Sequence, residues 1–311
     1  AFPRYISATH SICDDIENVN VYECSNEKEL LLQWKNLMLF HNPDIVTGYN
    51  IFGFDFEYIA KRVDYLFPCS SSCKKSYCHY SCLKNDFYRI GRLMRHKESD
   101  KVTSMEIIVP EKKSSPYYNN YWEKRCKMMS KQLSSSGLGD NILKYIVMDG
   151  RVIFDIQKEI QKGHALDSYK LDDVSATFMK GTIYKKAIFP NRTSLLYTST
   201  IGHLKMGDYV TIKLTTKYGE LKYNNGKKYE VIQIGKKNNA IMIDGIVNVK
   251  PYGSDLIQYE WCLSKDDVSP QQIFDYHKHG GSKGRALIAK YCIMDCELCI
   301  HLLSLLDIIP N

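Results

Sequence analysis

The hydrophobic pattern of the first part of this chain predicts a helix, a short strand and a second helix. Residues 27–40 place a set of apolar side chains at helical spacing, namely Leu30, Leu31, Trp34, Leu37 and Met38. Such a stripe is typical of the buried face of a helix, so we expect it in a hydrophobic core. Ile45 and Val46 predict a short buried strand, and residues 56–63 predict the next helix.

The pattern returns after an irregular stretch in the middle of the chain. Residues 137–186 are interpreted as beginning with a connecting helix, followed by a strand at residues 152–154 and a helix at residues 155–161. A long helix is predicted at residues 286–306. Short strands that alternate with helices favour an α/β core.

Residues 187–262 have a different character. Short strand-like runs occur at residues 210–214, 229–234 and 240–243, with Asn-Gly and Lys-Lys-Asn-Asn turn signals between them. We therefore expect a small antiparallel β barrel inserted into the α/β core.

These patterns divide the chain into five segments. The predicted α/β core occupies residues 1–66, 136–186 and 263–311. An irregular insertion rich in Ser, Lys and Cys occupies residues 67–135, and the β-rich module occupies residues 187–262.

The net charge of +7 is modest but unevenly distributed. Residues 74–101 and residues 205–237 each contain eight basic and three acidic residues. Such patches suit a phosphate backbone, although a solvated surface is the alternative interpretation. No apolar run reaches 18 residues, so we expect no membrane partner.

The eleven cysteines indicate reduced thiols rather than a disulfide framework. Five potential zinc ligands fall within fourteen residues, namely Cys69, Cys73, Cys78, His79 and Cys82. Their spacing differs from that of the usual zinc ribbons, so both a structural Zn²⁺ site and free thiols in a surface loop remain open.

Three oxygen-bearing side chains are candidates for hydrolytic chemistry. Residues 50–55 predict a turn that presents Asp55 at the end of the preceding strand. Tyr291 and Asp295 are four residues apart and therefore lie on one face of a helix. Carboxylates bind hard divalent cations and a phenol can orient an attacking water, as a two-metal phosphodiesterase site requires.

Residues 42–56 and 291–295 resemble the second and third exonuclease motifs of family B DNA polymerases, the eukaryotic delta type and its relatives in large DNA viruses. Four further segments follow in the order of that family, at residues 21–34, 136–140, 150–155 and 168–175. The resemblance covers roughly two thirds of the chain.

The resemblance implies a ribonuclease H-like 3′–5′ exonuclease fold. It makes Asp55, Tyr291 and Asp295 catalytic, with Asp55 and Asp295 as ligands of two Mg²⁺ or Mn²⁺ ions. Asn50 and Phe54 flank the cleft as candidate DNA contacts, although an Asn in a turn commonly bonds its own backbone. Asp155, Asp172 and Asp173 are interpreted as structural, either helix caps or first-turn acids.

The implied partners are primer–template DNA with its single-stranded 3′ end, the rest of a polymerase chain, and a sliding clamp or accessory subunits. The implied location is the site of replication, in the nucleus or in a cytoplasmic viral factory. No motif of the nucleotide-adding palm is present in the sequence. The expected enzyme is therefore a DNA-directed DNA polymerase of which this chain is one fragment.

The first exonuclease motif of that family is an Asp-x-Glu pair on an apolar strand, and Asp15-Ile16-Glu17 is one candidate for it. Residues 10–14 make a poor core strand, and Phe2-Pro3 resembles a pair found just after the true motif. We therefore expect the motif upstream of Ala1 and expect the fragment alone to be inactive.

Two rival functions come from other classes. The first is a stand-alone exonuclease of the same superfamily that acts on RNA or DNA. The second is a non-catalytic nucleic-acid-binding module, as in polymerases whose nuclease has decayed.

Overall fold

The computed structural model of the chain describes residues 5–68, 83–92, 128–135, 139–264 and 268–309. Its residues form two compact units. The first unit comprises Ala1–Ala165 and Gln271–Cys296, and the second comprises Leu166–Pro270 and Glu297–Asn311. The architecture is mixed α/β, as the hydrophobic pattern predicts.

The first unit contains short strands and helices in alternation. Its strands are β1 (Tyr5–His10), β2 (Val19–Cys24), β3 (Ile45–Gly48), β4 (Met128–Ser135), β5 (Gly139–Ile146) and β6 (Val152–Asp155). Its helices are α1 (Glu27–His41), α2 (Asp55–Leu66), α3 (Leu83–Phe87) and α4 (Ile156–Gly163). Towards the end of the chain follow α6 (Pro270–His279) and α7 (Gly281–Leu305), of which α7 continues past Cys296.

The strands of the first unit form three pairs. β1 and β2 are parallel, β3 and β6 are parallel, and β4 and β5 are antiparallel. In the second pair Gly48 lies opposite Asp155, so both strands end at the same edge.

The helix over residues 27–40 is confirmed and extends to His41. The Asn26 side chain caps α1 by accepting a hydrogen bond from Glu29 N at 2.9 Å. The helix ends where Asn42 adopts a left-handed conformation with φ of 45°. On the predicted stripe, Leu31 is buried and Trp34 stacks on Phe87 at 5.9 Å between ring centroids.

The main core of the first unit unites α1, α2, α3 and the end of β5. Its buried side chains are Leu31, Phe56, Val63, Phe67, Phe87, Tyr88, Ile90, Ile146 and Met148. Lys35 is buried beside this core and pairs with Asp86, which compensates the cost of burying its charge.

Two expectations for the middle of the chain are wrong. The connecting helix expected before residue 152 is absent from the described residues 139–151, because β5 occupies Gly139–Ile146 and pairs with β4 over eight residues. The segment at residues 67–135 is not wholly irregular, since it contains α3 and β4. The apolar residues of β5 follow helical rather than alternating spacing, at Ile142, Leu143, Tyr145 and Ile146, so this segment is a strand because of its pairing with β4.

The second unit is built around an antiparallel sheet. Its strands are β7 (Lys180–Ile188), β8 (Thr193–Thr198), β9 (Tyr209–Thr216), β10 (Gly219–Lys222), β11 (Tyr229–Gly235), β12 (Ala240–Asp244) and β13 (Leu256–Ser264). Six of them close into a barrel in the order β7-β8-β12-β11-β9-β13, and β10 pairs with β9. The helix α5 (Leu171–Phe178) contacts β13.

The predicted β barrel is thus present, but its first strand starts at Lys180 rather than after residue 187. Alternate residues of each strand fill the barrel, among them Leu196, Ile212, Tyr229 and Trp261. The two ends of the barrel segment are neighbours, since Lys180 lies opposite Cys262. In the described part of the chain, no helix has both the length and the apolar character needed to span a bilayer.

Candidate active site

The turn between β3 and α2 is held by its own backbone. The carbonyl of Asn50 accepts hydrogen bonds from Gly53 N at 3.1 Å and from Phe54 N at 3.0 Å. Phe56 N donates to the carbonyl of Ile51 at 3.2 Å. These bonds place Asp55 as the first residue of α2, so it lies at a helix start and not at the end of β3 as expected. A carboxylate is favoured there by the helix dipole.

Asp155 fixes this turn from the neighbouring strand. Its Oδ1 accepts from Asn50 N at 2.9 Å and from Gln157 N at 3.0 Å, and its Oδ2 accepts from Phe52 N at 3.0 Å. The interpretation of Asp155 as a helix cap is confirmed, since it is the N-cap of α4. Its additional bonds to the turn make it a positioning residue for the start of α2.

Both carboxyl groups near this edge have a raised pKa. Asp55 is exposed overall, yet partial desolvation raises the pKa of its carboxyl and the charge of Asp155 raises it further. Burial also raises the pKa of Asp155, against the lowering effect of its backbone hydrogen bonds. A cation at this edge would favour the charged form of both groups.

The second candidate segment lies on α7. A continuous helix over Tyr291 and Asp295 is confirmed, so the two side chains share one helix face. Both residues are half-buried, and Oδ1 of Asp295 is shielded from solvent. Asp55 and this pair belong to the same compact unit, and their approach to a common metal pair stays a prediction.

Two exposed rings flank Asp55. Phe54 and Tyr58 stack with their planes 9° apart and their centroids at 5.9 Å. Their exposed fractions are 62% and 54%, so the pair presents an open aromatic surface. Phe54 is a predicted site residue, whereas Tyr58 is not. The aromatic spacing of four residues across the start of a helix could have identified it.

Asn50 lies within the turn that it stabilises. An added Cβ at Gly53 would lie 2.3 Å from its Oδ1, so the side chain folds over Gly53. This contact supports the interpretation of Asn50 as a turn residue, and its contact with DNA stays a prediction.

The rejected first motif lies outside any strand. Residues 11–18 connect β1 and β2 without strand structure, so of residues 10–14 His10 alone, the last residue of β1, lies in a strand. Asp15 and Glu17 are exposed, while Ile16 packs with Ala286 and Ala289 of α7.

The structure describes the predicted ligands of Mg²⁺ or Mn²⁺ but not the predicted ligands of Zn²⁺. Over the described ranges, no three His, Cys, Asp or Glu side chains gather closely enough to hold a metal ion. The oxygen donors of Asp55 and Asp295 suit Mg²⁺ or Mn²⁺ in kind, but two carboxylates are fewer than two such ions require. The candidate zinc ligands Cys69, Cys73, Cys78, His79 and Cys82 lie outside the described residues.

Comparison with known proteins identifies the family. Residues 6–109 match the exonuclease domain of DNA polymerase family B. A DNA polymerase of Pyramimonas orientalis virus is 36% identical over 305 residues, which cover 97% of this chain and 19% of that protein. A DNA polymerase of Phaeocystis pouchetii virus is 29% identical over 94% of this chain and 24% of its own length.

A cellular relative matches a smaller part of the chain. The DNA polymerase delta catalytic subunit of Dictyostelium discoideum is 30% identical over 169 residues, or 54% of this chain and 11% of that protein. The chain therefore spans about a fifth of the length of its viral relatives. The resemblance seen in the sequence is confirmed: the chain belongs to the family B DNA polymerases and contains their exonuclease domain.

Proposed function

We propose that this chain is the 3′–5′ proofreading exonuclease region of a replicative DNA polymerase, with a ribonuclease H-like core. The observation that carries the proposal is a pair of hydrogen bonds that the carboxylate of Asp155 accepts from Asn50 N and Phe52 N. These bonds fix the turn at residues 50–52, and therefore the start of α2 with Asp55. The parallel strands β3 and β6 end at the edge next to this turn. The turn lies within residues 6–109, which match the exonuclease domain of DNA polymerase family B.

Asp55 and Asp295 would hold Mg²⁺ or Mn²⁺ through their carboxylate oxygens, which such hard cations prefer. When bound, these ions lower the pKa of a water and neutralise charge on the scissile phosphate. The remaining ligands would come from an Asp-x-Glu pair upstream of Ala1. We expect the carboxylates of Asp55 and Asp295 to lie about 4 to 8 Å apart, in reach of a shared metal pair.

Tyr291 would orient the attacking water through its phenol hydroxyl. Its position one helical turn before Asp295 directs both groups to the same side of α7. Because a phenol orients water without holding the charge of a metal, Tyr291→Phe should slow hydrolysis less than loss of either carboxylate.

The aromatic pair Phe54 and Tyr58 would receive the end of the DNA strand. Stacking of a base on an aromatic ring contributes roughly 1 to 3 kcal/mol and does not depend on base identity. An exonuclease that removes any mismatched nucleotide needs such a sequence-independent contact. The pair lies beside Asp55, so a stacked terminal base would hold its phosphate near that carboxylate.

In the complete polymerase, a palm outside these residues would add nucleotides to the primer–template. The rest of that chain, and a sliding clamp or accessory subunits, would be its protein partners. It would act where DNA is replicated, in the nucleus or in a viral factory.

The test is digestion of 5′-labelled single-stranded DNA by a longer chain that also carries the upstream Asp-x-Glu strand. With Mg²⁺ we expect stepwise shortening from the 3′ end, and Asp55→Asn or Asp295→Asn should reduce the rate at least about a hundredfold. Asp172→Asn, with the same charge change in the first turn of α5, is the control and should keep full activity.

Residues 1–311 alone should be inert in the same assay, since two carboxylates cannot hold two divalent ions against their repulsion. Digestion by these residues that disappears in Asp15→Ala/Glu17→Ala would show that our assignment of the first motif is wrong. Unchanged digestion in the Asp55→Asn and Asp295→Asn variants of the longer chain would contradict the proposal itself.

A further inference from the structure

The net positive charge of the chain is concentrated in the β barrel. Residues 180–264 contain thirteen Lys and Arg against six Asp and Glu, a net charge of +7. This equals the net charge of the entire chain, so the remaining residues are balanced. The barrel is therefore a net basic part of the chain, whereas the remainder, which includes the basic residues 74–101, is neutral as a whole.

Several connections meet at the end of the barrel away from its first and last residues. β7 ends at Ile188, opposite Ser194, and β12 ends at Asp244, opposite Thr193. β13 starts at Leu256, opposite Thr216 at the end of β9. The connections at residues 189–192, 217–218 and 245–255 therefore share this end, which we call the distal end.

A fourth connection, at residues 223–228, lies at the same end of the barrel. The hydroxyl of Tyr223 accepts a hydrogen bond from Asn248 N at 2.9 Å, so residues 223–228 also belong to the distal end. The chain enters and leaves the barrel at the other end, where Lys180 and Cys262 are paired. The distal end is thus the end of the barrel opposite the joins to the remainder of the chain.

Cations dominate the distal end. Its connections and the adjoining end of β7 carry Lys186, Arg192, Lys217, Lys227, Lys228 and Lys250. The carboxylate of Asp255 within these connections lies 3.7 Å from Lys217, and Asp244 ends the adjoining strand β12.

The charges of Lys186 and Lys250 repel each other. Lys186 donates a hydrogen bond to the carbonyl of Val247 at 2.7 Å, in the connection that also carries Lys250. Burial lowers the pKa of Lys186, and the charge of Lys250 lowers it further. An anion between them would relieve this repulsion.

Exposed rings accompany these cations. Tyr218 is 87% exposed in the turn between β9 and β10, next to Lys217. Phe189 is 39% exposed in the connection that carries Arg192. Lysines interleaved with exposed aromatic rings are typical of surfaces that follow a nucleic-acid backbone without reading its sequence.

We propose that the distal end of the barrel binds the phosphodiester backbone of DNA, at a site separate from the hydrolytic one. The ligand is recognised by charge, so both duplex and single-stranded DNA carry the required chemistry. The site would tether DNA to the chain while the 3′ end is processed elsewhere. Binding there needs neither a metal ion nor Asp55, so it stands independently of the proposed exonuclease function.

The experiment measures fluorescence anisotropy of labelled DNA with the 311-residue chain in EDTA, so that metal-dependent hydrolysis cannot interfere. A duplex of mixed sequence and one of its single strands are the two probes, titrated over a series of salt concentrations. The test variant is Arg192→Gln/Lys227→Gln/Lys250→Gln. Its matched control, Lys61→Gln/Lys162→Gln/Lys283→Gln, removes the same charge from exposed residues outside the barrel.

We expect the distal variant to bind at least about tenfold more weakly at 0.1 M salt, with the salt slope smaller by about two to three for the duplex. The control should bind within about twofold of the original chain. A loss on the single strand that is deepened by Tyr218→Ala would identify the single strand as the ligand. A loss restricted to the duplex would identify the duplex.

Equal weakening by the distal variant and the control would overturn the proposal, since net charge alone would then explain binding. Unchanged affinity of the distal variant would overturn it as well. Circular dichroism and thermal unfolding of each variant establish that the comparison is made between folded proteins.

Discussion

At the scale of single residues, Asp155 shows which contacts a local sequence pattern predicts and which it does not. An Asp between a strand and a helix predicts a cap, and the bond from Gln157 N at 3.0 Å confirms it. Its bonds to Asn50 N and Phe52 N link segments more than a hundred residues apart. No spacing within the sequence indicates such a contact, because it arises only when β3 and β6 pair.

We predict that Asp155→Ala destabilises the first unit by about 2 to 3 kcal/mol, since three backbone N–H groups lose their acceptor in a buried position. Chemical denaturation gives the free energy of unfolding. Asp172→Ala removes an exposed first-turn acid and should change that free energy by less than about 0.5 kcal/mol. Equal unfolding free energies of the two variants would show that the hydrogen bonds between Asp155 and the turn at residues 50–52 do not contribute to stability.

A histidine pair in the second unit predicts a pH dependence. The rings of His203 and His301 stack at 4.1 Å. Burial lowers the pKa of His301, as do the charges of His203 and Lys205, while Glu297 opposes them. The folded state therefore binds fewer protons than the unfolded state near the ordinary histidine pKa of about 6.5.

Stability should accordingly be complete above that pKa and decline as the pH falls through it. We expect His301→Phe to reduce the loss of unfolding free energy between pH 7.5 and 5.5. Denaturant midpoints over this range provide the measurement, and the exposed His277→Phe is the control. If His301→Phe and His277→Phe show the same pH profile, the stacked pair does not contribute to it.

At the scale of elements, periodic segments were predictable and pairing partners were not. The stripe on α1 and the strand runs of the barrel follow from their apolar spacing. β5 was mistaken for a helix because its partner β4 lies in a segment whose composition resembles a loop. The start of the barrel at Lys180 was also missed, since β7 alternates only weakly and carries a bulge between Ile183 and Lys185.

Gly181 on β7 tests the packing of the barrel. An added Cβ would lie 2.5 Å from Trp261 Nε1 and 2.6 Å from Thr198 Oγ1, the two atoms that share a hydrogen bond of 2.8 Å. We predict that Gly181→Ala costs about 1 to 3 kcal/mol and shifts the emission of Trp261. Gly163→Ala, where the added methyl meets no atom within 4 Å, should be close to neutral. A neutral Gly181→Ala would mean that Trp261 can move without cost.

At the scale of the whole molecule, the order of the motifs in the sequence correctly indicated the family, and the change in pattern indicated an inserted barrel. The site could be predicted only as separate pieces, Asp55 on one element and Tyr291 with Asp295 on another. The four-residue spacing of Phe54 and Tyr58 could have identified Tyr58, whereas the hydrogen bonds of Asp155 to the turn depend on packing that the motifs do not encode.

The pairing of β7 with β13 predicts that the barrel is separable. Because Lys180 and Cys262 lie opposite each other, residues 180–264 can be replaced by a short Gly-Ser linker with little strain. The remaining chain should keep a cooperative unfolding transition and its helical circular dichroism. Loss of cooperativity on this deletion would show that the α/β core needs the barrel to fold.

The proposed exonuclease function requires that Asp55 and Asp295 bind one metal pair. Anomalous diffraction from Mn²⁺-soaked crystals of the longer chain with the upstream Asp-x-Glu strand measures this directly. We predict two Mn²⁺ peaks about 3.5 to 4 Å apart, one in contact with the carboxylate of Asp55 and the other with that of Asp295. Carboxylates more than about 10 Å apart, with no Mn²⁺ peak near either, would contradict the account.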